Sequence, residues 1–210
     1  MSTFEENRGL KDYYYIVDGT LRMSVPEGTS GSQKREWTVG NKSGVKYEMV
    51  HRSITGVLQN VTLFEGETDG KKYRTLQLYF DADSNLRTPV ISINTDSRYA
   101  DDIMKCLPNL SIGDEINVRP FSFTPPDRDT KITGVAITKQ DSSGNFTLKV
   151  PNAFVKITEE DGVKKYTNLH GFPEPTEDDR DDWKLFFTKQ NRWLVKYVRE
   201  NVIPRFSVEN

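Results

Sequence analysis

Five stretches between residues 53 and 139 decide the fold: Ser53-Ile-Thr-Gly-Val-Leu-Gln-Asn-Val-Thr-Leu-Phe64, Lys72-Tyr-Arg-Thr-Leu-Gln-Leu-Tyr-Phe-Asp-Ala82, Thr88-Pro-Val-Ile-Ser-Ile-Asn-Thr95, Asp114-Glu-Ile-Asn-Val-Arg-Pro-Phe-Ser-Phe123 and Thr130-Lys-Ile-Thr-Gly-Val-Ala-Ile-Thr-Lys139. Each carries at least one β-branched residue, and three of the five carry aromatics as well, in alternation with polar residues, so each reads as a strand, with bounds 53–64, 72–82, 88–95, 114–123 and 130–139. Ser97-Arg-Tyr-Ala-Asp-Asp-Ile-Met-Lys-Cys-Leu107, between the third and fourth, reads as a short helix over about 97–107.

Alternation assigns the faces of these strands. In the second, Leu76, Leu78 and Phe80 share the side expected to face the interior, and Tyr73, Thr75, Gln77 and Tyr79 share the other. In the fourth, Ile116, Val118 and Pro120 oppose Asn117, Arg119, Phe121 and Phe123. Pro89 belongs at a strand start or an edge, since it donates nothing to a ladder. Asp69-Gly-Lys-Lys72 makes a tight basic turn between strands 1 and 2, and Pro125-Pro-Asp-Arg-Asp-Thr-Lys131 a stiff charged loop between strands 4 and 5. Three strands, a helix and two strands in this order are what an OB-fold requires, a five-stranded, partly open barrel that holds oligonucleotides or oligosaccharides on strands 2–3 and those two loops. The expected class is therefore mainly β, an OB-fold barrel with N-terminal β-hairpin additions and a C-terminal α-helix.

Outward from this core, residues 1–45 read as a β-hairpin extension. Tyr13-Tyr-Tyr-Ile-Val and Thr20-Leu-Arg-Met-Ser-Val25 flank Asp18-Gly19, a favoured hairpin turn pair. Glu36-Trp-Thr-Val39 and Val45-Lys-Tyr-Glu-Met-Val50 flank Asn41-Lys-Ser-Gly44, a second hairpin that either adds strands to the barrel or covers its edge. The core is assigned to 46–152. Residues 153–210 read as a hairpin about Asp161-Gly162, an acidic segment from Pro173 to Asp182, and a helix. Thr176 with Asp179 resembles a capping box for that helix, which should end near Val202, before Pro204. Trp183, Phe186, Phe187, Leu194, Tyr197 and Val198 are its apolar stripe, and Lys189, Arg192, Lys196 and Arg199 its basic face, with Trp193 beside them.

Composition narrows the function classes. The 210 residues are 35% hydrophobic and 29% charged, with a net charge of −2, so any attraction for a polyanion must be local. Met1–Arg8 is polar rather than a secretory leader, and a lone cysteine, Cys106, suits a reducing cytoplasm and a small buried hydrophobe. The only histidines, His51 and His170, lie at no metal-ligand spacing with Cys106, and there is no glycine-rich phosphate loop. No cofactor, metal or catalytic group is expected. Asp101 and Asp102, and the aspartates of 178–182, read as capping and dipole compensation.

The positive pattern is aromatic residues interleaved with cations. Tyr73, Tyr79, Phe121 and Phe123 are candidates for stacking on bases, and Lys71, Lys72, Arg74, Arg87, Arg119 and Lys131 for phosphates.

Several pieces in order resemble the OB-fold single-stranded-DNA-binding proteins of tailed bacteriophages, most closely those of crAss-like phages. They are Val17-Asp-Gly-Thr-Leu-Arg-Met-Ser-Val25 with Glu27-Gly-Thr29, Lys46-Tyr-Glu48, Ser53-Ile-Thr-Gly56, Tyr73-Arg-Thr-Leu76, Ser97-Arg-Tyr-Ala100, Leu107-Pro-Asn109 and Arg119-Pro-Phe-Ser-Phe-Thr-Pro125. The resemblance spans about residues 15–140. It implies a non-enzymatic protein of the host cytoplasm that coats single-stranded DNA without sequence preference in phage DNA replication or recombination. Replication or recombination proteins would be its partners, no membrane is involved, and a homo-oligomer is compatible with it. Such proteins often end in an acidic tail that recruits partners, whereas the acidic run here precedes a helix. The rival readings are an OB-fold assembly module of a phage particle and a nuclease built on the aspartate clusters.

Overall fold

The backbone groups of the five core strands are satisfied within one ten-stranded mixed sheet. This computed structural model describes residues 10–40, 42–68, 70–82, 87–177, 179 and 182–206. The N-terminal part supplies β1 (Lys11–Val17), β2 (Thr20–Val25), β3 (Gln33–Val39) and β4 (Lys42–His51). β5 (Ile54–Thr68), β6 (Lys71–Phe80), β7 (Thr88–Asn94), α1 (Arg98–Cys106), β8 (Glu115–Phe123) and β9 (Ile132–Gln140) follow, at nearly the expected bounds. β10 (Phe146–Lys149) was not expected; β11 (Val155–Glu160) and β12 (Val163–Asn168) pair as a separate hairpin, and α2 (Trp183–Tyr197) comes last. The sheet order is β10-β9-β8-β5-β6-β7-β1-β2-β4-β3.

One face of this sheet and the two helices enclose the core. Leu76, Leu78 and Phe80 of β6, Ile91 of β7, and Ile116 and Val118 of β8 are fully buried there, as alternation predicts. From α1 come Ala100, Ile103 and Met104, and from the C-terminal segment Leu194, Val198, Val202 and Phe206. Each such aliphatic side chain contributes about 1.5–3 kcal/mol by leaving water. Ser97 caps α1, its Oγ accepting from the Ala100 amide at 3.2 Å.

The five strands expected to form a partly open barrel lie in an open mixed sheet, with no closed barrel among the described residues. Closure would require β7 to meet β9, but both strands already have two neighbours: β7 lies between β6 and β1, and β9 between β8 and β10. β1 runs parallel to β7, Tyr13 opposite Val90 and Tyr14 opposite Ile91. The β1–β2 hairpin then reaches across the open side. Its turn, Asp18-Gly19 with φ of 48° and 73°, lies against β8, where a Cβ on Gly19 would sit 2.3 Å from the Ser122 amide nitrogen. The Gly19 amide donates to Tyr99 Oη at 3.0 Å, and Lys131 pairs with Asp18 at 2.8 Å.

Other local expectations shift. The β3–β4 turn falls at residues 40–41, of which Asn41 lies outside the described residues; Gly44 is inside β4, where a Cβ would be 2.9 Å from the Trp37 indole. Thr176 and Asp179 do bond, at 3.1 and 2.8 Å, but α2 is capped by Asp182, which accepts from the Leu185 amide at 2.9 Å. Residues 178, 180 and 181 of the acidic run lie outside the described residues. The C-terminal segment does not stop before Pro204: a π-turn spans Val198–Val202 and a 3-10 turn Ile203–Phe206. Pro204 is tolerated because the early residues of a helical turn need no amide partner. Among the described residues no helix is long and apolar enough to cross a membrane.

A single carboxylate ties the N-terminal strands together. Glu48 of β4 is fully buried and accepts from Arg35 of β3 at 2.8–3.0 Å, Arg22 of β2 at 3.0 Å and the Tyr15 hydroxyl of β1. Burial pushes its pKa up, but the hydrogen bonds from Arg35, Tyr15 and Arg22 outweigh it and hold the carboxyl at about 2. The folded value thus lies below the ordinary 4.5, so this contribution to stability is complete above pH 4.5 and is lost as the pH falls toward 2.

Two stability measurements follow from these contacts. Gly19→Val, which adds β-branched bulk at a positive φ against β8, lowers the unfolding free energy by about 3 kcal/mol in urea titration; an unchanged midpoint would contradict the bridging turn. Glu48→Gln leaves two arginines unpaired and costs about 3 kcal/mol at pH 7. That deficit narrows as the pH falls from 4.5 toward 2, and a constant deficit would contradict the network.

Candidate nucleic-acid interface

The sheet face turned away from the core carries a row of aromatic rings. Tyr79 of β6, Val90 of β7 and Tyr13 of β1 stand side by side in the register, with Val90 buried between two tyrosines. Lys11 Nζ lies 5.0 Å from the centre of the Tyr79 ring, and Tyr79 Oη donates to Gln77 at 2.6 Å. Further along β6, Tyr73 lies across Gly66 of β5, where a Cβ would be 2.4 Å from the ring, and 6.2 Å from Phe64. The other end of the row is Tyr15 and Trp37, whose ring centres are 5.7 and 5.9 Å from Lys46 Nζ. Tyr13, Phe64 and Tyr73 are 47%, 48% and 39% exposed. Rings sharing one face of the sheet, with ammonium groups near them, suit stacking of bases beside phosphates.

The ten candidate residues do not form one site. Lys71, Lys72 and Tyr73 are exposed together at the far end of the β5–β6 ribbon. Arg74 is beside them but points to the α2 side and pairs with Glu65 at 2.8 Å. Tyr79 sits mid-face, while Arg87 pairs with Asp12 and fastens β7 to β1. Arg119, Phe121, Phe123 and Lys131 lie at the opposite end, since β8 pairs with residues 54–57 of β5 and β6 with residues 58–68. Ten residues of strand, from Ile54 to Phe64, lie between the groups, about 33 Å measured along β5 at ~3.3 Å per residue. Phe121 packs across Gly134, where a Cβ would be 2.7 Å from its ring, whereas Phe123 is 52% exposed. Lys131 is engaged by Asp18.

Sequence reading missed Lys11, Tyr13, Tyr15, Phe64 and Trp37. The period-two pattern of Lys11, Tyr13 and Tyr15 was available, but its partner strand was not.

The basic face of α2 is split. Lys189 pairs with Asp179 at 3.2 Å, while Arg192, Lys196 and Arg199 line a cleft of about 640 Å³ against Lys72, Tyr73 and Arg74. Trp193 is not beside them. It stacks on Tyr197 at 5.2 Å in a cluster with Phe154 and Phe172.

The remaining polar candidates make contacts within the fold. His51 meets the Tyr14 ring and His170 the Phe154 ring, edge-on at 5.5 and 5.9 Å. Asp101 pairs with Lys105 and Arg98, and Asp102 accepts from the Val135 amide at 3.1 Å, joining α1 to β9. Burial pushes the Asp102 carboxyl up, and pushes the Cys106 thiol up to about 11. No family model, curated protein or solved structure matches the chain.

Cys106 is buried and its sulfur points to the Val150 carbonyl at 3.6 Å. At pH 8 a disulfide reagent should therefore titrate it only after denaturant is added; rapid labelling of the folded protein would contradict this placement.

Proposed function

We propose that this chain binds single-stranded DNA without sequence preference, across the outer face of β5, β6, β7 and β1. The observation that carries the reading is the row formed by Phe64, Tyr73, Tyr79 and Tyr13, with Lys11 over Tyr79. Stacking on such rings is worth about 1–3 kcal/mol per base, whatever the base. Lys71 is exposed and has no ion pair with a described residue, so it is available to phosphates. The site is shifted from the one expected across strands 2 and 3, with stacking residues on strands 2 and 4, because β1 extends the face while Phe121 and Phe123 lie at its far end.

The order of the elements supports the reading. β5, β6, β7, α1, β8 and β9 follow the OB order, and β1 takes the place beside β7. A role in phage DNA replication or recombination, without catalysis, is part of the same proposal and rests on the sequence resemblance alone. The assembly-module alternative draws on Ile157, Val163 and Tyr166, which are 58%, 62% and 66% exposed on the β11–β12 hairpin. It predicts salt-stable oligomers indifferent to DNA.

Titration of labelled oligothymidylate at low and high salt tests the main reading. Binding should weaken with salt, and Tyr79→Ala or Tyr73→Ala should each cost about 1–3 kcal/mol of affinity. Phe123→Ala should bind as the unmodified chain does. No binding by micromolar protein at low salt would remove the proposal.

A further inference from the structure

The cleft between α2 and the far end of the β5–β6 ribbon holds more cations than it neutralises. Lys72, Arg74, Arg192, Lys196 and Arg199 line it with Tyr73, against the carboxylates of Glu65, Asp96 and Glu200. Arg192, Lys196 and Arg199 follow at spacings of four and three, so they share one face of the C-terminal helical segment. Arg192, Lys196 and Lys72 are exposed, and none makes an ion pair with a described residue. Such a concentration is unexpected on a chain of net charge −2.

One carboxylate joins the two walls. Glu65 accepts from Arg74 of β6 at 2.8 Å and from Arg199 beyond α2. Two guanidinium groups converging on one carboxylate oxygen, Oε1, is an arrangement that also fits a phosphate oxygen. Glu65 is half exposed, so water and ligands reach the pair.

Both ends of the cleft lead to aromatic surface. Tyr73 belongs to the cleft and to the outer-face row. At the other end Asn191 and Arg192 continue into a furrow lined by Lys184 and Phe187. Phe187 is 53% exposed and stacks on Trp183 at 5.9 Å. From Phe187 to Arg199 is about 18 Å of helix at ~1.5 Å per residue.

We infer that this cleft is a second binding site, for the phosphodiester backbone of a nucleic-acid strand, in which Glu65 is an internal occupant that an incoming phosphate replaces. The strand passes from the outer face over Tyr73, along Lys196 and Arg192, toward the exposed ring of Phe187. The identity of the ligand rests on the single-stranded-DNA reading above; the cationic cleft does not.

The test compares Arg192→Ala/Lys196→Ala with the unmodified full chain, by anisotropy on oligothymidylates of about 8 and about 30 nucleotides. The double variant should bind the long oligomer about tenfold more weakly, and its salt slope should fall by about 1.4, at ~0.7 per phosphate contact on a single strand. The short oligomer should be unaffected, whereas Tyr79→Ala weakens both lengths. Unchanged affinity and slope on the long oligomer overturn the inference. Glu65→Gln should bind the long oligomer several-fold more tightly, and weaker binding overturns the role given to Glu65. If the unmodified chain binds neither oligomer, the outer-face reading fails and sodium triphosphate calorimetry decides the cleft. Heat that is lost in the double variant upholds a phosphate site, and no heat overturns it. A polyglutamate peptide that displaces the long oligomer at lower concentration than unlabelled oligothymidylate does would overturn the phosphodiester assignment.

Discussion

A strand edge inside a fold must have its amides and carbonyls met, and the edge offered by β7 governs this molecule. β1 meets it in parallel, which carries the sheet onward through β2, β4 and β3 and leaves β9 to pair with β10. From that one pairing follow the open ladder, the hairpin turn resting on β8, and the outer-face row, because Tyr13 stands beside Val90 and Tyr79 only when β1 is in register with β7. The aromatic face is a product of topology, assembled from strands remote in sequence.

Charge is distributed by the same architecture. Carboxylates are committed to specific cations: Glu48 to Arg22 and Arg35, Asp12 to Arg87, Asp18 to Lys131. These pairs fasten strands or turns to one another. Four cations that make no ion pair with a described residue, Lys71 and Lys72 of β6 and Arg192 and Lys196 of α2, gather at one end of the ribbon. A chain of nearly balanced charge thereby acquires a positive pole, over distances comparable with the ~8–10 Å reach of unscreened charge in ordinary salt.

Much of this was legible. Leu76, Leu78 and Phe80 announce their face by alternation, Asp18-Gly19 announces a hairpin, and Ser97 announces the start of α1. What alternation conveys is the side of a strand, and it says nothing about which end of the sheet a residue reaches. Tyr73 and Phe123 were therefore assigned one surface, though β5 runs between their ends. Strand edges carry no side-chain label either, so the partner of β7 could not be read. Gly44 resembled a turn residue because only the neighbouring strand shows that it makes room for Trp37. Trp193 was placed with the basic residues of α2 because helical spacing alone leaves the width of the apolar stripe undetermined, and Phe154 and Phe172 widen it.

The Glu48 hub has a bearing on how the chain is made. Its members run from Tyr15 to Glu48, so the four N-terminal strands can complete their own polar junction as soon as β4 has emerged. β7, by contrast, begins more than 70 residues after β1 does. At about 5–20 residues per second, that leaves β1 without its second neighbour for roughly 4–15 s on the ribosome. Hairpins form in about 1–10 μs, so the wait is long on the scale of folding. Four strands already locked by one buried carboxylate can keep Tyr14 and Ile16 in register during that interval, and so serve as a template on which the later strands assemble.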